Sequence, residues 1–387
     1  MEHLLNNKVI DIEISGIRKF YNMVQEIEDL ISFTIGQPDF PTPEHVKLEG
    51  INAIQNNFTS YTHNAGYLDL RKAASQFLLK KYGLHYSPEN EIIITVGASE
   101  AIDIALRTIL IEGDEVILPG PIYPGYEPII RICGGNPVHI DTRDSQFKLT
   151  AEKLQPYLTN KTKCIILPYP SNPTGVSLSK QELTEIANLL KEKEIFVIAD
   201  EIYSELVYDE QHYSIAQDLK EQTIVINGLS KSHSMTGWRV GMLYAPECLT
   251  KHFLKVHQYN VSCISSISQK AAYAALTAGI NDAEMMRKEY IQRRAYVSTR
   301  LNGMGLDFVM PNGAFYFFIK IPEYLHTNSF DFALDLAKEA RVAVVPGSAF
   351  SEYGEGFFRL SYACSLELLE EGLNRIDEYL NKKIHVD

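Results

Sequence analysis

Lys231 and Asp200 invite a chemical reading before any fold is considered. Lys231 follows the apolar run Thr223-Ile-Val-Ile226 through the turn Asn227-Gly-Leu-Ser230, and Asp200 closes the run Ile195-Phe-Val-Ile-Ala199. An amine and a carboxylate at the ends of buried segments can serve as nucleophile or base and as the counter-charge of a cation. Other candidates sit at equivalent places. Gly97-Ala98-Ser99 follows Ile92-Ile-Ile-Thr-Val96 and opens a helical pattern, where free N–H groups and a positive dipole end suit a phosphate. Tyr123 lies in Pro121-Ile-Tyr-Pro124, Asn172 in Ser171-Asn-Pro-Thr-Gly175, Tyr203 just beyond Asp200, and Arg239 in Gly237-Trp-Arg-Val-Gly241. Singly each has a bland reading: a helix cap, a turn, a core tyrosine or a solvated charge.

The elements that must position these groups are short apolar runs at 92–96, 115–118, 164–167, 195–199, 223–226 and 242–245. They are continuous rather than alternating, as in strands covered on both faces. Between them lie helical stripes such as Ala101, Ile102, Ala105, Leu106, Ile109 and Leu110, which stops at Gly113-Asp114. Strand–helix alternation predicts an α/β domain over residues 46–285 with a mainly parallel sheet. Ligands of such sheets bind beyond the carboxyl ends of the strands, where the candidates gather. A long charged helix at about 282–304, runs at 313–319, 342–345 and 357–361, and a helix at about 329–340 predict a small α+β domain from residues 286–387, which residues 1–45 should join. Together the strand ends supply a phosphate cradle, an aromatic, an Asn, an Asp–Tyr pair and a Lys with an Arg. That set meets the needs of pyridoxal phosphate. Its aldehyde needs a lysine, its ring nitrogen a carboxylate, and its phosphate N–H groups, a hydroxyl and an arginine.

Composition bounds the alternatives. The formal net charge is −13, against a nucleic-acid or anionic-membrane partner. No apolar run reaches the ~18 residues of a membrane helix, and the first residues lack a signal-peptide pattern. No His/Cys cluster has metal spacing. Of the five cysteines, three sit in apolar or small-residue surroundings, which predicts buried free thiols and a cytoplasmic setting.

The segment Ser230-Lys231-Ser-His-Ser-Met-Thr-Gly237-Trp-Arg239-Val-Gly241 resembles the pyridoxal-lysine signature of class I/II aminotransferases, of the aspartate aminotransferase-like fold type I. Asn172 precedes Asp200 by 28 residues, Asp200 precedes Lys231 by 31, and Lys231 precedes Arg359 by 128, which is the family's order and spacing. Ile35-Gly36-Gln-Pro-Asp-Phe40, Ser60-Tyr61 through Ala65-Gly66 and Pro311-Asn-Gly-Ala-Phe-Tyr316 extend the resemblance over nearly the whole chain. Pro168-Tyr-Pro-Ser-Asn-Pro-Thr-Gly175 and Asn227-Gly-Leu-Ser-Lys-Ser-His-Ser234 resemble the bacterial aminotransferase A group.

The resemblance implies roles. Lys231 would carry the cofactor and, once displaced, move the substrate Cα proton. Asp200 would hold the ring N–H. Tyr203 and Asn172 would bond the ring oxygen, and Tyr123 would stack on the ring. Ala98, Ser99, Ser230 and Arg239 would cradle the phosphate, joined by Tyr61 of a second subunit, so a homodimer with shared sites is implied. Arg359 would take the substrate α-carboxylate as a bidentate fork, and Gly36 would lie in the segment that closes over the substrate. His63 and Asn64 would be cross-subunit neighbours of the substrate. The substrates would be an amino acid and a 2-oxo acid, with 2-oxoglutarate as acceptor and N-acetyl-LL-2,6-diaminopimelate as the long donor. Vertebrate-type aspartate aminotransferases place a partner arginine for the side-chain carboxylate where this chain has His257, Gln258, Tyr259 and Asn260. Arg18 is a candidate substitute. A carbon–sulfur β-lyase on the same scaffold would use the same residues, though lyase groups vary the Asn-Pro-Thr-Gly turn or lengthen the chain. A pyridoxal-phosphate-binding regulator would need a DNA-binding segment, and the roughly 45 residues before the large domain are not basic.

Overall fold

A computed structural model describes residues 1–384. Its twelve strands are β1 (Ile31–Ser32), β2 (Ile92–Val96), β3 (Glu115–Gly120), β4 (Asn136–Asp141), β5 (Thr162–Leu167), β6 (Phe196–Asp200), β7 (Thr223–Gly228), β8 (Val240–Tyr244), β9 (Tyr316–Lys320), β10 (Val342–Ala343), β11 (Val345–Pro346) and β12 (Phe357–Ser361). Seven form one sheet in the order β2-β8-β7-β6-β5-β3-β4. β8 runs antiparallel to both neighbours, and the other pairings are parallel. The sheet is therefore mixed but mainly parallel, as the apolar runs predict. Its central strands are buried along nearly their whole length. Helices cover both faces, among them Gly97–Ile109 on one side and Lys180–Leu190 on the other, packed in separate apolar clusters.

Within the large sheet, β4 is the strand the sequence pattern does not announce. It sits at the sheet edge, begins Asn-Pro, and is only partly buried. An edge position tolerates the missing N–H of Pro137, and a half-wet strand carries no continuous apolar run.

The C-terminal strands make a three-stranded antiparallel sheet, β11-β12-β9. The run at 342–345 divides: β10 pairs in parallel with β1, while β11 pairs with β12. Residues after about Ser15 thus attach to this sheet. Phe20, Val24 and Phe33 are buried with Tyr290, Phe317, Phe332 and Ile376. Farther upstream the chain leans on the large sheet's side, where Lys8 pairs with Glu112 at 2.5 Å. The long helix Ala283–Gly303 and the helix Leu366–Ile384 flank the small sheet.

Of the three buried thiols expected, the structure keeps one. Cys164, in β5, is buried; Cys133, Cys263 and Cys364 are half-buried and Cys248 is exposed. Cys133, for example, caps the helix Tyr126–Ile132, so its apolar neighbours turn inward while it stays at the rim. Among the described residues no helix is long and apolar enough to cross a membrane.

Candidate active site

The carboxyl ends of β2, β3, β5, β6 and β7 open on a cavity of about 470 Å³. Eleven sequence candidates line it: Gly36, Ala98, Ser99, Tyr123, Asn172, Asp200, Tyr203, Ser230, Lys231, Arg239 and Arg359. Tyr61 does not; it stands on the surface, 90% exposed.

Lys231 sits in the turn of helix Leu229–Ser232 that β7 feeds directly. Its Nζ donates to the Gly36 carbonyl at 2.6 Å. Burial, then the charges of Arg359 and Arg239, bring its pKa down to about 8. Asp200 ends β6, 6% exposed. It accepts from the Tyr126 hydroxyl at 2.7 Å and from the Ile202 amide at 3.2 Å, so it does cap the following turn. Burial raises its pKa, and those hydrogen bonds only partly offset that.

Arg239 has φ +55° and donates to the Thr236 carbonyl at 3.1 Å. Its guanidinium lies where a Cβ on Gly97 would be, and the φ of Gly97 is +71°. A Cβ on Gly241 would collide with the Gly97 carbonyl carbon and the Ala98 nitrogen. Two glycines therefore let β8 and its arginine come up against the start of helix Gly97–Ile109. The first-turn N–H groups there, at Ala98 and Ser99, have no partner within the helix by geometry and flank the same arginine. Backbone donors, a hydroxyl and a guanidinium together suit a phosphate.

Arg359 comes from β12, across from the sheet ends, and is 2% exposed. It donates to Asn172 Oδ1 at 2.8 Å and to the Thr34 carbonyl at 2.6 Å. Its Nε is buried without a hydrogen-bond partner, and no carboxylate pairs with it among the described residues. Burial lowers its pKa. The guanidinium stacks on Tyr316 at 4.4 Å and on Phe350 at 5.1 Å. A buried, flat, partly unbonded guanidinium has the donors to receive an anion. Tyr203 shares a hydrogen bond of 2.8 Å with Tyr316, and burial raises the pKa of both. A Cβ on Gly36 would stand 3.0 Å from that Tyr316 hydroxyl.

Sequence reasoning gave no role to Tyr126, Tyr316 or Thr34. Tyr126 lies in no element read from the sequence, and Tyr316 falls within the run at 313–319. Their polar partners lie 74 and 113 residues away, which no local pattern signals.

A family model described as aminotransferase class I and II matches residues 28–376. This chain belongs to that family. A Bacillus subtilis (strain 168) protein named "Probable N-acetyl-LL-diaminopimelate aminotransferase" is 62% identical over 383 residues, covering 99% of this chain and 97% of that protein. The crystal structure of an aromatic aminotransferase from Pyrococcus horikoshii OT3 superposes with a TM-score of 0.89 at 40% identity, over 94% of this chain and 99% of that one. Aspartate aminotransferase from Thermus thermophilus with maleate gives 0.92 at 33% identity, over 97% and 99%. The fold is therefore aspartate aminotransferase-like, and the protein is an aminotransferase.

In this aminotransferase the segment His257-Gln-Tyr-Asn260 holds no arginine. His257 is fully buried, with Nδ1 2.9 Å from Glu100 and Nε2 2.9 Å from the Asn64 carbonyl. Tyr259 is 87% exposed. Arg18 is exposed too, and its neighbour Ile17 lines the cavity in its place. His63 accepts from the Ala65 amide, and Asn64 donates to the Ser262 carbonyl.

Proposed function

We propose that the chain binds pyridoxal phosphate and moves an amino group between an L-amino acid and a 2-oxo acid. The glutamate/2-oxoglutarate couple would be one pair and N-acetyl-LL-2,6-diaminopimelate the other amino donor. The observation that carries this reading is the trio around one cavity. It comprises a half-buried lysine with its pKa lowered to about 8, a buried carboxylate with no ion-pair partner among the described residues, and a buried arginine whose Nε has no hydrogen-bond partner among them. Each lacks what a pyridoxal phosphate–amino acid pair would bring: a carbonyl carbon, a ring N–H⁺ and a carboxylate.

Bound pyridoxal phosphate supplies a carbonyl carbon for the amine and an electron sink for the Cα electron pair. Lys231 would hold it and then, near neutral pH, take the Cα proton with its free amine. Asp200 would keep the ring nitrogen protonated, with Tyr126 fixing the carboxylate's direction. Asn172 and Tyr203 would direct hydrogen bonds at the ring oxygen, and Tyr123 would lie against the ring face. Ala98, Ser99, Ser230 and Arg239 would hold the phosphate, with Tyr61 contributed by a second copy in a homodimer. Arg359 would orient the substrate through its α-carboxylate, and Gly36 would admit it by having no side chain. The name of the Bacillus subtilis relative supports the long donor.

The test is a panel of half-reactions. Each amino acid is mixed with the cofactor-loaded enzyme and the aldehyde-to-amine absorbance change is followed. Conversion by glutamate and by N-acetyl-LL-diaminopimelate, with the 2-oxo acid recovered, is expected. Elimination products without a 2-oxo acid of the same skeleton would favour the lyase instead.

A further inference from the structure

The charged groups lining the catalytic cavity are Asp200, Lys231, Arg239 and Arg359. The proposed chemistry uses all of them, leaving no cation for a charge at the far end of a substrate. A second, larger cavity of about 800 Å³ adjoins it. Tyr123 lines both, and the consecutive residues Gly16 and Ile17 line one each. This groove runs between the 11–19 segment, the start of helix Tyr126–Ile132 and the loop after β11. It carries Arg131, Lys19 and His139 together with Asp11, Glu13 and Glu127. Glu127 is shared: Arg131 reaches one oxygen at 2.7 Å and His139 the other at 3.0 Å. Lys19 pairs with Glu13 at 2.7 Å. One carboxylate between two nitrogen bases leaves guanidinium N–H groups of Arg131 unspent, as five donors exceed what one oxygen takes. His139 Nδ1 and Ser351 Oγ, both on this groove, are buried with no hydrogen-bond partner among the described residues.

We propose that this groove is a distal subsite that receives the far end of a long-chain amino-acid substrate, with Arg131 and Lys19 facing its terminal carboxylate. The idea rests on the amino-transfer reading and names the substrate class of that same site. Groups of both signs suit a terminus in which a carboxylate stands beside an N–H, with Glu13 on hand to accept from the latter. A short dicarboxylic amino acid held by Arg359 ends before the groove. Chain length, rather than charge alone, is then what the enzyme selects.

The experiment is a length series in the half-reaction: L-aspartate, L-glutamate, L-2-aminoadipate, L-2-aminopimelate and N-acetyl-LL-diaminopimelate. It is run on wild type, Arg131→Ala and Lys19→Ala. Both side chains are about half exposed, so the fold should tolerate either change. The wild type should prefer the two longest donors. Arg131→Ala should lower kcat/KM for them by about ten- to a hundredfold, the loss of one charge-assisted contact, mainly through KM, and leave glutamate within about twofold. Lys19→Ala should do the same more weakly. A parallel reading is the thermal midpoint with unreactive succinate, glutarate or pimelate: only the pimelate shift should shrink in Arg131→Ala. A uniform change across the series, or none, overturns the subsite while leaving amino transfer standing. A wild type that converts no member, glutamate included, overturns both.

Discussion

The two walls of the catalytic cavity are built differently. The wall proposed for the cofactor comes from one rigid sheet. Asp200 ends β6, Lys231 follows β7 and Arg239 immediately precedes β8, three neighbouring strands, and the Gly97–Gly241 approach locks them to a helix start. The wall proposed for the substrate is assembled across two sheets and the N-terminal segment. Arg359 stands on the small sheet and bonds Asn172 of the large body and Thr34 of the N-terminal segment. Where the main chemistry happens, positions are set by ladder hydrogen bonds. Where a substrate must be recognised and let go, they are set by a few side-chain contacts that can open.

The largest break in this contrast is Lys231→Ala. The chain should fold and bind cofactor, yet lose at least about 10⁴-fold in the half-reaction, since base and attachment point vanish together. Borohydride should then fix no pyridoxyl label; a label on another lysine would refute the assignment. Asp200→Ala should cost about 10²–10³-fold, the scale of removing one preorganised charge. Activity within tenfold of wild type would reduce Asp200 to the cap of its turn.

A backbone lesion in the rigid wall tests whether its geometry matters as much as its charges. Gly241→Ala forces a methyl into the Gly97–Ala98 backbone. It should destabilise the fold by about 1–3 kcal/mol and weaken phosphate retention, measured by thermal unfolding and by cofactor titration. An unchanged affinity would detach the cradle from that approach.

The two walls also differ in how far the sequence discloses them. The rigid wall is legible because continuous apolar runs mark central strands, and ligand groups fall just beyond them. The lysine segment, Asn172 and Asp200 could be placed on that basis. Tyr126 could not: it faces Asp200 only after β3 and β6 come together around β5. β4 escaped because an edge strand with Pro137 carries little apolar signal. In the substrate wall, Arg359 was named from family spacing alone. Its bonds to Asn172 and Thr34, and the ring of Tyr316 beneath it, depend on the small sheet meeting the large one, which no periodicity encodes.

The walls communicate electrostatically, and pH shows it. Arg359 helps depress the pKa of Lys231, after burial itself. In the cofactor-free protein, labelling of Lys231 by a small amine-reactive probe should rise with a midpoint near pH 8. Arg359→Leu should move that midpoint upward. The sign for stability follows: a lysine that ionises less readily when folded destabilises the protein most below about pH 8. The loss is recovered as pH rises toward the unfolded value of about 10.4. An Arg359→Leu midpoint at or below the wild-type value would mean that Arg359 does not act on the lysine.

The smallest effect expected is that of Tyr126→Phe, and it sharpens the contrast most finely. The ring and its edge-on packing against Tyr123 stay, and only the hydroxyl is removed. Asp200 keeps the Ile202 amide but loses its other donor. A hydrogen bond to a charged group is worth roughly 1.5–3 kcal/mol. Part of this is recovered when the carboxylate faces a protonated ring nitrogen, so the half-reaction should slow by about tenfold or less. Tyr126 lowers the Asp200 pKa against burial. Its removal should therefore raise that pKa, and the acid limb of the cofactor-free protein's binding profile should move to higher pH. A slower reaction with that limb unmoved would mean that the hydroxyl acts otherwise than through the ionisation of Asp200. A moved limb with stability preserved would make the hydroxyl a positioning group for Asp200, acting from a helix that carries no other proposed cofactor contact.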